Sequence, residues 1–168
     1  LSGAAADARR SVAPRVLATP AHRAFLRIAD GCDNRCAYCA IPLIRGDLVS
    51  EPMEKLVAEA ESLADGGVTE LTLIAQDTSC YGIDLYGKPR LPELLERLCK
   101  IPALHWIRVL YTYPDTVTPE LLDTLSGNEK LVHYLDMPLQ HASDALLARM
   151  NRRGSKEHIR GILEHIRA

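Results

Sequence analysis

The sequence predicts an α/β fold built from parallel strand–helix units. Short apolar runs that suit buried strands alternate along the chain with amphipathic helical patterns. The chain has 168 residues, of which 47% are hydrophobic and 25% charged, an ordinary balance for one globular domain. Periodicity leaves two architectures open, an open doubly wound sheet and a (β/α) barrel. Both place ligands at the carboxyl ends of the strands.

The first half of the chain supplies two strands and a helix. Residues 25–29 form an apolar run that suits a strand, and a second such run covers 71–75. Between them, apolar residues recur at helical spacing over 52–65. Pro52 suits the first helical position, and Gly66 ends the pattern. The loops after these strands should therefore carry ligand-binding residues.

The second half repeats the same plan. Pro92 opens a helix, a strand follows over 106–111, and Thr118 is placed to cap the next helix. Residues 131–137 predict the fourth strand. The last two helices are expected to begin behind serine N-caps, Ser143 and Ser155.

Charge and hydropathy exclude several classes of protein. The net charge of −2 provides no global basic field for nucleic acid, and no apolar run approaches the ~18–20 residues of a membrane span. The first residues do not read as a signal peptide, because no apolar run follows a basic start, so a cytoplasmic location without membrane contact is expected. Residues 1–22 predict a linker or the tail of a preceding unit, and 23–168 a core domain that is incomplete at its carboxyl end. The chain starts at Leu1 and stops within a helical pattern, so we expect a fragment of a longer protein, poorly soluble alone.

Cysteine spacing is the strongest chemical feature. Of five cysteines, three follow the first predicted strand as C-x3-C-x2-C: Cys32, Cys36 and Cys39. Thiolates are soft ligands for iron–sulfur clusters, zinc or copper(I). Structural zinc normally takes four ligands in two separated pairs, and no nearby histidine completes such a set. A [4Fe–4S] cluster held by three thiolates keeps one iron open for a small molecule. Cys80 and Cys99 are interpreted as bystanders.

The cysteine loop, with Tyr38 directly before the third cysteine, resembles that of the radical S-adenosylmethionine (SAM) superfamily. In that superfamily the open iron chelates the amino and carboxylate groups of SAM. Reductive cleavage then yields methionine and a 5′-deoxyadenosyl radical. The resemblance implies a parallel (β/α) partial barrel, here truncated after about four strands, and so favours the barrel over the open sheet.

Longer motifs are similar to those of the methylthiotransferase family. Within it, they resemble the branch that methylthiolates an aspartate of small-subunit ribosomal protein S-twelve, whereas the transfer-RNA branch is less similar after the second strand. The motifs lie at 28–36, 38–46, 75–78, 138–141 and 150–154. The resemblance implies a [4Fe–4S] cluster on the three cysteines, SAM, and a second [4Fe–4S] cluster in an N-terminal domain absent from this chain. It implies that the fragment alone is inactive in the full reaction.

Polar residues near the predicted strand ends are candidate SAM contacts. Strand-end side chains in such folds point into the ligand mouth, and an arginine pairs well with a carboxylate. The candidates are Tyr38, Arg45, Gln76, Asp77, Gln140 and Arg149, with Arg152 as an alternative to Arg149 for the carboxylate. An electron donor such as flavodoxin or ferredoxin is expected. Two rival functions stay open: a transfer-RNA adenosine methylthiotransferase, and a non-catalytic iron–sulfur or zinc binding module.

Overall fold

The computed structural model describes residues 17–167, so most of the predicted linker, 1–16, lies outside the described residues. The strands are β1 (Arg23–Arg27), β2 (Ala29–Asp30), β3 (Val49–Ser50), β4 (Glu70–Ile74) and β5 (Trp106–Val109). The helices are α1 (Ile41–Arg45), α2 (Met53–Asp65), α3 (Ile83–Tyr86), α4 (Leu91–Cys99), α5 (Pro119–Gly127), α6 (Asp144–Arg149) and α7 (Lys156–Arg167). A 3-10 turn, Pro114–Thr116, precedes α5.

The main sheet is parallel, with strand order β1–β4–β5. Leu26 pairs with Leu73, and Leu73 pairs with Val109, so three apolar side chains lie in one row across the sheet. All three are buried. Helices α2 and α4 pack on β1 and β5 and against each other. The predicted parallel strand–helix units are confirmed, and the described residues form an open, partial sheet with no closed barrel.

A small second sheet supports the first loop. Strands β2 and β3 pair antiparallel, with Ala29 opposite Ser50 and Asp30 opposite Val49. The predicted strand 25–29 is therefore divided between β1, in the main sheet, and β2, which turns away from it. This ribbon brackets residues 31–48, the segment that carries the cysteines.

The predicted fourth strand, 131–137, is wrong as a strand. Its only ladder contact within residues 17–167 is a parallel bridge between Ile107 and Leu131. The Tyr134 N–H donates to the Val132 carbonyl at 2.7 Å, so the chain turns on itself. The segment returns to the sheet end at Asp136, whose carbonyl accepts from the Thr112 N–H at 2.9 Å. A local turn thus replaces the inter-strand bonds that a continuous ladder needs.

Two of the three expected N-caps are confirmed. The Thr118 hydroxyl accepts from the Leu121 N–H at 3.2 Å, and the Ser155 hydroxyl accepts from the His158 N–H at 3.1 Å. Ser143 occupies the cap position of α6, but its hydroxyl makes no capping bond.

Over residues 17–167, every helix is too short or too polar to cross a membrane.

Candidate functional site

The three clustered cysteines lie between β2 and α1, at the carboxyl end of the main sheet's first strand. All of them are free thiols of intermediate exposure. The Cys32 N–H donates to the Gly46 carbonyl at 3.1 Å, which closes the base of the loop. This hydrogen bond joins the two ends of the loop, and Cys36 and Cys39 lie on the segment between them.

Gly31 makes this closure possible. Its φ of +75° lies in the left-handed region, and a Cβ at this position would lie 2.0 Å from the Asp47 carbonyl oxygen. Such an approach is far inside van der Waals contact, and the obstructing atom is backbone. The turn before Cys32 therefore requires glycine for its conformation and for its space.

Replacing Gly31 with alanine is expected to lower the free energy of unfolding by about 3 kcal/mol, because backbone strain and a backbone clash add. Gly67→Ala is the matched control, since Gly67 has φ +98° but open space around its Cβ position. That control should lose only about 1 kcal/mol. Guanidinium unfolding measures both values, and equal losses would contradict the clash.

Asp77 connects the cysteine loop to the end of β4. Its side chain is buried, with 2% exposure. Oδ2 accepts from Asn34 Nδ2 at 2.8 Å and from the Cys80 thiol at 3.1 Å. Oδ1 accepts from the Ser79 N–H at 3.1 Å and the Ser79 hydroxyl at 2.6 Å. Because Asn34 lies between Cys32 and Cys36, this carboxylate holds the middle of the loop against the sheet.

The segment after α6 holds the other side of the loop. The Ala37 N–H donates to the Met150 carbonyl at 2.9 Å, and Asn151 Nδ2 donates to the Arg35 carbonyl at 2.7 Å. Arg35 and Asn151 both have left-handed φ values, 48° and 53°. Two facing turns are thus joined by hydrogen bonds across more than a hundred residues of chain.

Arg152, the next residue along the chain, lies beside the cysteine loop. It is buried, with 8% exposure, and its guanidinium carbon lies 4.1 Å from the centre of the Tyr113 ring. Nη2 donates to the Pro138 carbonyl at 2.8 Å, and Nη1 donates to the Tyr38 hydroxyl at 3.3 Å. Nη1 also lies 4.0 Å from Cys36 Sγ. A guanidinium charge is therefore held beside a cysteine thiol.

Burial shapes the acidity of the thiols nearest the sheet. It raises the pKa of Cys32, and the negative charge of Asp77 adds to this shift, while hydrogen bonds from Asn34 oppose it. Burial and the Asp77 charge raise the pKa of Cys80 much further. Metal binding at Cys32 must therefore release a proton from a thiol that is neutral at neutral pH.

The predicted SAM contacts differ in how they relate to the loop. The side-chain oxygen Oε1 of Gln76, at the end of β4, is buried without a hydrogen-bond partner. Arg45 forms an ion pair with Asp30 at 3.5 Å. Gln140 and Arg149 are exposed, and among residues 17–167 their side chains make no hydrogen bond or ion pair. Asp77 contacts the cysteine loop through Asn34, and Tyr38, which lies on that loop, accepts a hydrogen bond from Arg152. The role of each candidate residue in binding SAM stays a prediction.

Three residues make contacts at this site that the sequence did not predict. Asn34 gave no spacing signal, although an amide between the clustered cysteines is well placed to orient their loop. Arg152 was considered only as a carboxylate partner, and its stacking on Tyr113 beside Cys36 could not be predicted. Asn151 has an equally long-range role, and nothing local points to it.

The cysteine loop fits a cluster better than a single ion. Within residues 17–167, no three or more His, Cys, Asp or Glu side chains converge as a lone metal ion requires. A four-iron cluster has a different requirement, because each thiolate ligates a different iron and the sulfurs lie further apart. Three free thiols on one loop and the unpartnered Gln76 oxygen suit a cluster with a polar ligand beside it.

The fold and the cysteine loop together define the class of this protein. The family model of the radical SAM superfamily matches residues 26–168, and the chain belongs to that superfamily. Among curated proteins, it is 53% identical over 153 residues to the ribosomal protein uS12 methylthiotransferase RimO of Lachnoclostridium phytofermentans, covering 91% of this chain and 35% of that relative. It is also 53% identical over 155 residues to the RimO protein of Pelotomaculum thermopropionicum, covering 92% of this chain and 35% of the relative.

Solved structures support the fold. A structure of the radical SAM methyltransferase TsrM from Kitasatospora setae, with tryptophan substrate and a SAM analogue bound, superposes with a TM-score of 0.69 at 16% identity. The match covers 94% of this chain and 32% of that one. A second TsrM structure, with cobalamin and a [4Fe–4S] cluster bound, has a TM-score of 0.66, also at 16% identity, and covers 85% of this chain and 28% of that one. The chain spans about a third of the length of the curated relatives reported above.

Proposed function

We propose that this chain is the SAM-cleaving core of a methylthiotransferase that modifies an aspartate of ribosomal protein uS12. The observation that carries the proposal is 53% identity over 91% of the chain to a protein named for that activity. The match includes the cysteine loop, whose free thiols lie on a loop held by Asp77 and Arg152.

Different residues of this core would bind the cluster, orient the cysteine loop and contact SAM. Cys32, Cys36 and Cys39 would hold a [4Fe–4S] cluster, which supplies, when bound, the electron for reductive cleavage of SAM. Asp77 orients the loop through Asn34. The free Gln76 oxygen is available to accept a hydrogen bond, as from the ammonium group of SAM.

Further parts of the proposal lie outside this chain. A second [4Fe–4S] cluster in an N-terminal domain would supply sulfur, and a second SAM would supply the methyl group. A flavodoxin or ferredoxin would deliver the electron. A ribosomal substrate places the reaction in the cytoplasm.

The decisive experiment uses the complete gene product that contains this chain, reconstituted with iron and sulfide without air. It is incubated with SAM, a reductant and either purified uS12 or transfer RNA. Mass spectrometry should find one methylthio group on an aspartate of uS12 and none on adenosine. If only transfer RNA were modified, uS12 would be wrong as the substrate and transfer RNA would take its place. No SAM cleavage with stoichiometric zinc would instead support a binding module.

A further inference from the structure

Arg152 is a buried cation without a close anionic partner among the described residues. None of the ion pairs within residues 17–167 includes it. Its close contacts are neutral: the Pro138 carbonyl, the Tyr38 hydroxyl and the Tyr113 ring. Asp115 acts on it electrostatically, from beyond ion-pair distance.

A buried charge left in this way is costly, because water no longer solvates it and no opposite charge lies within ion-pair distance to replace that solvation. The Tyr113 ring face and the Pro138 carbonyl offset part of this cost. The same contacts prevent the guanidinium from turning toward solvent. The group therefore keeps Nη1 near Cys36 Sγ, at a distance of 4.0 Å.

We propose that Arg152 raises the reduction potential of the cluster ligated by Cys36. The inference rests on the proposed function, because it needs a [4Fe–4S] cluster on the cysteine loop. One electron from a low-potential one-electron donor converts [4Fe–4S]2+ to [4Fe–4S]+, and no bond forms or breaks. The cluster and its thiolates gain one negative charge, so a fixed positive charge nearby stabilises the reduced state more than the oxidised state.

The position of the charge supports this role over a purely structural one. Arg152 is held by the Tyr113 ring and the Pro138 carbonyl, and it contacts the cysteine loop through a hydrogen bond to the neutral Tyr38 hydroxyl. A neutral amide side chain could replace a hydrogen bond but not the charge. Arg152 thus acts through the cluster ligand, as a positioning and electrostatic residue.

The test is a redox titration of the reconstituted chain, followed by electron paramagnetic resonance of the reduced cluster. Wild type is compared with Arg152→Gln, Arg152→Lys and Arg153→Gln. Arg153 is exposed, so its variant removes the same formal charge one residue away. Iron and sulfide content of the wild type is measured first. A wild type that binds no cluster contradicts the proposed function itself and is recognised before any titration.

Arg152→Gln is expected to disfavour reduction by at least tenfold, a fall of about 59 mV for a one-electron couple. Arg152→Lys and Arg153→Gln should stay near the wild-type potential. An unchanged potential in Arg152→Gln, or an equal fall in Arg153→Gln, would overturn the inference.

A variant that loses its cluster is also informative. If Arg152→Gln cannot retain the cluster, Arg152→Lys decides the question, because it keeps the charge without the planar guanidinium. A retained cluster with a wild-type potential supports the electrostatic role. Loss of the cluster in Arg152→Lys as well would assign the residue to loop geometry alone and refute the effect on potential.

Discussion

Replacement of Cys36 with alanine is expected to abolish cluster binding and reductive SAM cleavage. Two thiolates cannot hold the site-differentiated cluster that three hold, so iron should fall from ~4 per chain to background after anaerobic reconstitution. The measurements are iron and sulfide content, visible absorption, and 5′-deoxyadenosine formed with SAM and a chemical reductant. No other class of substitution in the chain is expected to have a larger functional effect, and the same loss is expected at Cys32 and Cys39.

Cys99→Ala is the matched control for this prediction. Cys99 is the last residue of α4 and is partly buried against the core, far along the chain from the cysteine loop. Its variant should keep the full iron content and cleavage rate. A Cys36→Ala chain with wild-type iron would refute the assignment of this cysteine as a ligand.

The largest loss of stability is expected from Asp77→Ala. The substitution removes the acceptor of four hydrogen bonds at once and leaves the Ser79 N–H and the Asn34 amide without this partner. Hydrogen bonds to charged groups contribute about 1.5–3 kcal/mol each, and orphaned donors add a desolvation cost. The free energy of unfolding should therefore fall by about 4 kcal/mol, measured by urea unfolding of the cluster-free chain.

Asp47→Ala provides the comparison for Asp77→Ala. Asp47 forms an exposed ion pair with Arg35 on the same loop, and such pairs contribute at most about 1 kcal/mol. The Asp77 variant should in addition retain less cluster, because Asn34 no longer holds the loop between Cys32 and Cys36. Equal unfolding free energies for the two variants would show that the buried network contributes little.

Most of the regular structure was predictable from the sequence because it depends on local pattern. Helix 52–65 was predicted from apolar spacing, and the structure begins it one residue later. Thr118 was predicted as a cap from its position before a proline, and its hydroxyl makes the capping bond. The strand prediction at 131–137 failed, because apolar composition cannot show that Tyr134 bonds back to Val132.

The candidate site was predictable only in part. The three cysteines fall within eight residues, so their spacing alone indicates a shared ligand, and Asp77 and Gln76 follow from the end of a buried strand. The sequence did not show how the two residues differ. The Asp77 carboxylate accepts hydrogen bonds from neighbouring protein groups, whereas the Gln76 side-chain oxygen has no hydrogen-bond partner. That difference depends on which donors the folded chain brings within reach.

By itself, the sequence determined the parallel strand–helix plan and the clustered thiols, because both arise from residues that are close along the chain. Only the tertiary structure decided what surrounds those thiols. Arg152 lies 116 residues from Cys36 and reaches it because Met150 and Asn151 hydrogen-bond to the cysteine loop. Contacts of this kind depend on how turns meet in three dimensions, and local propensity carries no information about them.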